Sequence, residues 1–250
     1  MAIGATAIAG AATALLALSA TTQEYRNEQA KLTTAFETAG ASAQTATDTY
    51  NGLVRVLGDS GQATEAAGHL AKLSTEEKAL SEWTNICQGV YATFGDSLPI
   101  EGLTEAANET AKVGQVTGGL ADALNWAGIS EDAFNEKLAA CNTEAEREKL
   151  IRETLNGVYS EAAANYEKNN SAVLKQNEAQ EKLRATTAQL GEAVAPVVAA
   201  FTSFASDALA VVVPYIQQFA EQYGPYRYER IYGEILCIQI DRSTSRICGI

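Results

Sequence analysis

From Thr143 to Val194 the chain contains no proline and only two glycines, Gly157 and Gly191. Proline stops helices because it lacks the N–H and clashes with the preceding turn. Its absence over so long a stretch predicts one helix over 143–194, opened by a capping box of Thr143 with Glu146. At 1.5 Å per residue that helix reaches roughly 78 Å. Leu150, Ile151, Leu155, Val158 and Tyr159 form an apolar stripe, continued by Tyr166, Val173, Leu174, Leu183 and Leu190. Between Ala162 and Gln180 the polar fraction rises, and a helix polar nearly all round either projects into solvent or pairs with copies of itself. This half is expected to leave the globular part.

Upstream, the same period recurs in shorter pieces. Tyr25, Leu32, Phe36 and Ala39 make one stripe, ended by Gly40, since glycine takes the left-handed conformation without steric cost. Ser42 can cap the next helix, which carries Ala43, Ala46, Tyr50, Leu53, Val54 and Leu57. After turn chemistry at Gly58–Gly61, a third stripe holds Ala63, Ala66, Leu70 and Leu73. Ser74 and Glu77 read as a second capping box, opening a helix with Leu80, Trp83, Cys87, Val90, Tyr91 and Phe94 on one side. That face is the heaviest in the first half and is expected at the centre of the core. Gly95-Asp96-Ser97 ends this helix, and Pro99 suits the start of the next. Short helices follow, with Leu103, Ala106, Ala107, then Leu120, Ala123, Leu124, Trp126, then Phe134, Leu138 and Cys141 facing inward. Gly114, Gly118 and Gly119 lack both a preceding strand and a GK[ST] sequence, so they read as turns, not as a phosphate cradle.

The two ends differ from this body. Met1 to Ala20 is apolar and rich in alanine, with small residues such as Ala5 and Ala9 four apart. It reads first as a helix-packing segment and second as a membrane-active one. A cleaved signal needs a positive residue before the apolar run, and the first is Arg26. Pro196 to Ala220 is a second apolar run, interrupted by Asp207 and Pro214; it reads as a buried helix or as a membrane-inserting element. After Gly224 come four of the nine arginines, and Tyr232 to Ile240 alternates partly like a strand, with Arg246 to Ile250 as the second arm of a short hairpin. The expected architecture is all-α: an apolar Ala-rich helix over 1–20, a helical globular region over 21–142, a long amphipathic helix over 143–194, an apolar helix over 195–224, and an atypical tail over 225–250.

Chemistry is sparsely represented. With 18 basic and 31 acidic residues the net charge is −13, which argues against specific nucleic-acid binding, where a basic face must displace counterions. His69 is the single histidine, so any histidine-based metal site or catalytic triad must rest on it. It reads as a partly exposed structural residue, and its spacing from Cys87 implies no dyad. Cys87 and Cys141 read as small buried hydrophobes. Cys237 and Cys248 flank the candidate hairpin, where they either pair or fall by chance; the cytoplasm is the default compartment. Glu144, Glu146 and Glu148 read as solvated faces complementing the helix dipole. No catalytic, cofactor-binding or metal residue is expected, and no enzyme activity.

One larger pattern remains. Thr22, Glu24, Tyr25, Arg26, Glu28, Ala30, Lys31, Leu32, Thr34, Ala35 and Phe36 form a TxEYRxExAKLxTAF segment, followed by Thr38-Ala39-Gly40 and Ala43 to Tyr50. VLGDSGQATEAAGHLAKL occupies Val56 to Leu73, with further likeness over Ser81 to Gly128 and in LGEAVAPVV, Leu190 to Val198. Taken together these resemble phage tail tape measure proteins over roughly nine tenths of the chain, the specificity lying in the whole and not in any position. The resemblance implies a structural role: helical copies span the tail tube lumen, tube subunits polymerise around them, and the span sets tail length. It implies partners in the tail tube protein, tail assembly chaperones, distal tail proteins and other copies of the chain, with host-membrane contact during DNA passage. It implies location in the tail lumen after synthesis in the bacterial host cytoplasm. A wholly helical chain of 250 residues spans only about 375 Å, so a fragment or truncated prophage copy is expected. The rival reading from the apolar runs is a membrane-active, pore-forming or toxin-like helical protein.

Overall fold

The computed structural model describes residues 2–243. Among them are nine α-helices and no strand, so the chain is all-α. In order they are α1 (Ala2–Ala39), α2 (Ala43–Leu57), α3 (Ser60–Leu73), α4 (Glu77–Phe94), α5 (Ile100–Val113), α6 (Gly118–Trp126), α7 (Glu131–Ala139), α8 (Glu144–Asn169) and α9 (Ser171–Ser243). The chain divides into two compact units, one of Thr13–Ala193 and one of Met1–Ala12 with Val194–Ile250.

The first unit is organised around α4. Trp83, Ile86, Cys87 and Val90 are fully buried there, against Ile151, Leu155, Tyr159 and Ala163 of α8. α2 packs on α3 and α4, and α3 on α5, so the stripes at Ala46, Tyr50, Leu53, Ala63, Ala66 and Leu70 point into one core. Local chemistry sets the joints. The Ser42 hydroxyl accepts from Thr45 N–H at 3.0 Å, and the Asp59 carboxylate accepts from Gln62 N–H at 2.9 Å. Gly58 closes α2 in the left-handed conformation (φ 70°). At α8, the Thr143 hydroxyl accepts from Glu146 N–H at 3.1 Å, while the Glu146 carboxylate reaches back to Asn142 N–H at 2.7 Å.

Several expectations need correction. Ser74 and Glu77 form no capping box: α4 begins after Glu76, and Ser74 instead ends α3, its N–H donating to Leu70 O. The first stripe is no short helix, because α1 runs unbroken through Thr21. The helix expected over 143–194 is divided at Asn170. Asn169, Asn170 and Ser171 are short polar residues whose side chains compete for backbone groups, which weakens a helix locally; the Asn170 amide donates to Tyr166 O at 3.3 Å. Nor does this half leave the core, since α8 forms one wall of it. Trp126 is 65 % exposed, lying edge-on to Phe94 at the rim, and Cys141 is only half-buried, just beyond the end of α7.

In the second unit, α9 continues as helix through Pro196, Pro214 and Pro225, leaving Val197, Phe204, Val211 and Tyr215 exposed. None of the described helices is long and apolar enough to cross a membrane. Tyr232–Ile240, expected as a strand, is the last part of α9. An isolated hairpin is marginal in water, whereas a helix satisfies its backbone groups internally. The other arm, Arg246–Ile250, lies outside the described residues.

Candidate functional site

Two polar clusters interrupt the helical packing of the first unit. In the first, Trp83 Nε1 donates to Glu148 Oε1 at 2.8 Å, and Arg152 Nε donates to the same oxygen at 2.8 Å. Arg152 also pairs with Glu82. Burial disfavours the Arg152 charge, but the Glu148 and Glu82 carboxylates outweigh it and hold the guanidinium above its ordinary value. Glu148, expected on a solvated face, is therefore buried: it falls three residues before Ile151 and seven before Leu155, on the apolar stripe itself. That position was the signal available in the sequence. Beside this cluster, Gln88 Nε2 donates to Ala163 O at 2.8 Å, and Tyr159 OH to Ala123 O at 2.7 Å. A methyl group at Gly89 would overlap the Tyr159 carbonyl oxygen, so α4 and α8 touch only because that residue is glycine.

The second cluster lies where α9 returns along α1. Tyr25 OH donates to Glu181 Oε1 at 2.6 Å, and Arg184 Nη1 stands 3.8 Å from Glu181 Oε2. Gly191 abuts Thr22 while Glu181 meets Tyr25, so the two helices run antiparallel in this stretch. Farther along, Asn177 Nδ2 donates to Arg55 O at 3.0 Å, tying α9 to α2. Burial first, then the Glu181 carboxylate, pushes the Tyr25 phenol above its ordinary range, and the buried Tyr50 phenol is raised the same way. The Tyr50 hydroxyl and Gln29 Nε2 are buried without a hydrogen-bond partner. Next to the seam, a cleft of about 500 Å³ is lined by Glu24, Tyr25, Glu28, Arg184 and Thr187 among others. Glu181 also sits on an apolar repeat, seven residues after Leu174 and seven before Ala188.

Neither cluster gathers a reactive set. His69 is half-exposed on α3, and among the described residues no hydrogen bond joins it to Cys87. Cys87 is fully buried, and burial pushes its thiol up to about 12, away from the thiolate form. No group of three or more His, Cys, Asp or Glu among the described residues is placed to hold a metal ion. A second cleft, about 360 Å³, lies between α2 and α4 and is lined by Asp48, Thr49, Glu77, Ser81, Thr84 and Asn85, without a paired nucleophile and base. The arrangement can hold helices together and present surfaces. Compared with protein-family models, curated proteins and solved structures, the chain finds no match in any of the three.

Proposed function

We propose that the chain is a structural component of a bacteriophage tail, a portion of a tape measure protein that helps set tail length by lying along the tube lumen and assists DNA passage through the host envelope. The observation that carries this reading is the run of tape-measure-like residues from Thr22 to Leu73 with its continuation over Ser81 to Gly128. An all-α build suits the role, because the rise per residue of a helix is fixed and makes a ruler. Its partners are then the tail tube protein, tail assembly chaperones, distal tail proteins and other copies of the chain, and it performs no catalysis. Co-sedimentation of the purified chain with assembling tail tube subunits tests the reading. Retention in the tube fraction is expected, and recovery of all the protein in the supernatant over a range of tube concentrations overturns it.

A second reading, a membrane-active helical protein of pore-forming or toxin-like kind, draws on the exposed Val197, Phe204, Val211 and Tyr215 of α9. Dye release from liposomes at modest protein concentration favours it. Release that is absent while tube binding is present favours the ruler.

A further inference from the structure

The sequence of 143–194 is that of one helix, yet it is interrupted at a single residue. Asn170 has φ −115° and ψ 22°. Its N–H still donates to Tyr166 O at 2.8 Å, and its carbonyl still accepts from Leu174 N–H at 3.0 Å. Helical bonding thus survives on both sides, and a change of roughly 50–65° in each Asn170 dihedral restores a continuous helix.

What holds the start of α9 back is its seam with α1 and α2, and that seam is weakly built. Its buried apolar side chains on α9 are Leu174 and Ala188. The remainder is polar: Glu181 with Tyr25, and Asn177 with Arg55 O. Meanwhile Val173, Leu183 and Leu190 point outward, 47 %, 68 % and 55 % exposed. Of the four large apolar side chains in this stretch only Leu174 is buried, so most of its apolar repeat goes unused by the seam.

We propose that Ser171–Ala193 is a strap that detaches from α1 and α2 and straightens at Asn170, so that α8 and the start of α9 become one helix. The proposal rests on the seam and the hinge alone and stands independently of the tail reading. It contains two parts, release and straightening, and each has its own measurement.

Release is read in the full chain carrying Ala188→Cys, a small replacement for a buried seam residue. Cys87, fully buried in α4, is the internal standard. Pulse alkylation with a maleimide too bulky to enter the cleft that Ala188 lines, mapped site by site by mass spectrometry, is expected to modify position 188 at least about tenfold faster than Cys87, as a locally opening segment should. Equal rates mean that the seam opens only with the core, and overturn the proposal. Straightening is read by spin labels carried on non-native side chains at Glu153 and Glu192, both exposed. In a continuous helix they stand about 58 Å apart, and any bend at Asn170 shortens that distance. Asn169→Ala, Asn170→Ala and Ser171→Ala together are expected to enlarge the population at the long distance. One unchanged short distance in both chains overturns straightening. Because the alkylation needs no hinge variant, failure of the alanine variant to fold leaves release fully testable.

Discussion

The α4–α8 contact and the α1–α9 seam are both helix pairs brought together at a glycine, Gly89 in one and Gly191 in the other. They are held by different means. Between α4 and α8 large apolar side chains are fully buried, and the polar groups among them, Glu148, Gln88 and the Tyr159 hydroxyl, all have partners. Between α1 and α9 little apolar surface is removed from water: the start of α9 buries only Leu174 and Ala188, and a bond from Tyr25 to Glu181 joins the two helices. Periodicity decides which faces meet; the residues on those faces decide how firmly.

The largest expected effect is in the core. Trp83→Ala removes the biggest fully buried side chain and is expected to cost about 3–5 kcal/mol. Trp83→Phe keeps most of the packing, leaves Glu148 bonded to Arg152, and is expected to cost about 1–3 kcal/mol. Urea unfolding followed by far-UV circular dichroism measures both. A loss under about 1 kcal/mol for Trp83→Ala would erase the contrast between the two contacts.

The glycines provide the direct comparison. Gly89→Ala meets main-chain and Cβ atoms of Tyr159, so α4 and α8 must part, with an expected loss of about 1–3 kcal/mol. Gly191→Ala meets the Thr22 side chain and, less closely, the Leu18 carbonyl oxygen; the Thr22 hydroxyl must give up its bond to Leu18 O, and the expected loss of about 1 kcal/mol stays at the low end of that for Gly89→Ala. Equal losses in unfolding midpoint would show that the seam is as tightly packed as the core.

Much of the core was legible in the sequence, because Tyr50, Leu53, Leu70, Leu80, Trp83 and Cys87 lie on helical stripes and are buried as that period requires. Gly89 was not. A glycine within a helix gives no local sign that another backbone will approach it, since that depends on residues about seventy positions away. The break at Asn170 was within reach, as three adjacent short polar residues weaken a helix, but nothing local says whether tertiary contacts will exploit the weakness. Glu148 was misread by residue type: a carboxylate suggests solvent, whereas its place on an apolar repeat points to burial with a partner, and Glu181 is placed in the same way.

Alkaline pH separates the two contacts in another way. Burial raises the Cys87 thiol and the Tyr159 phenol to about 12, from ordinary values of 9.0 and 10.0. Folded values above unfolded ones mean that this stability is complete below about pH 9 and is lost as pH rises toward 12. Within the window each group removes up to about 1.4 kcal/mol per pH unit. Tyr159→Phe is expected to flatten that decline in global unfolding. Tyr25→Phe, although Tyr25 is raised still further, is expected to leave the global slope nearly unchanged, because a seam that opens separately does not register in it. A clear flattening by Tyr25→Phe would make seam and core one cooperative body.

The smallest expected effect is at Leu183, and a buried leucine sets its scale. Leu155 on α8 is fully buried, and Leu155→Ala is expected to cost about 2–5 kcal/mol. Leu183 on α9 is 68 % exposed, so Leu183→Ser removes little packing and is expected to move stability by no more than about 0.5 kcal/mol. The two residues look alike in sequence, each on a helical apolar repeat; they differ because α8 turns its repeat toward α4, whereas α9 keeps Glu181 and Ala188 inside and Leu183 out. Measuring Leu183→Ser at two protein concentrations makes the test stricter. A loss of midpoint seen only at the higher concentration would mean that a second molecule covers Leu183, and the outward face of α9 would then be an interface whose stability depends on assembly.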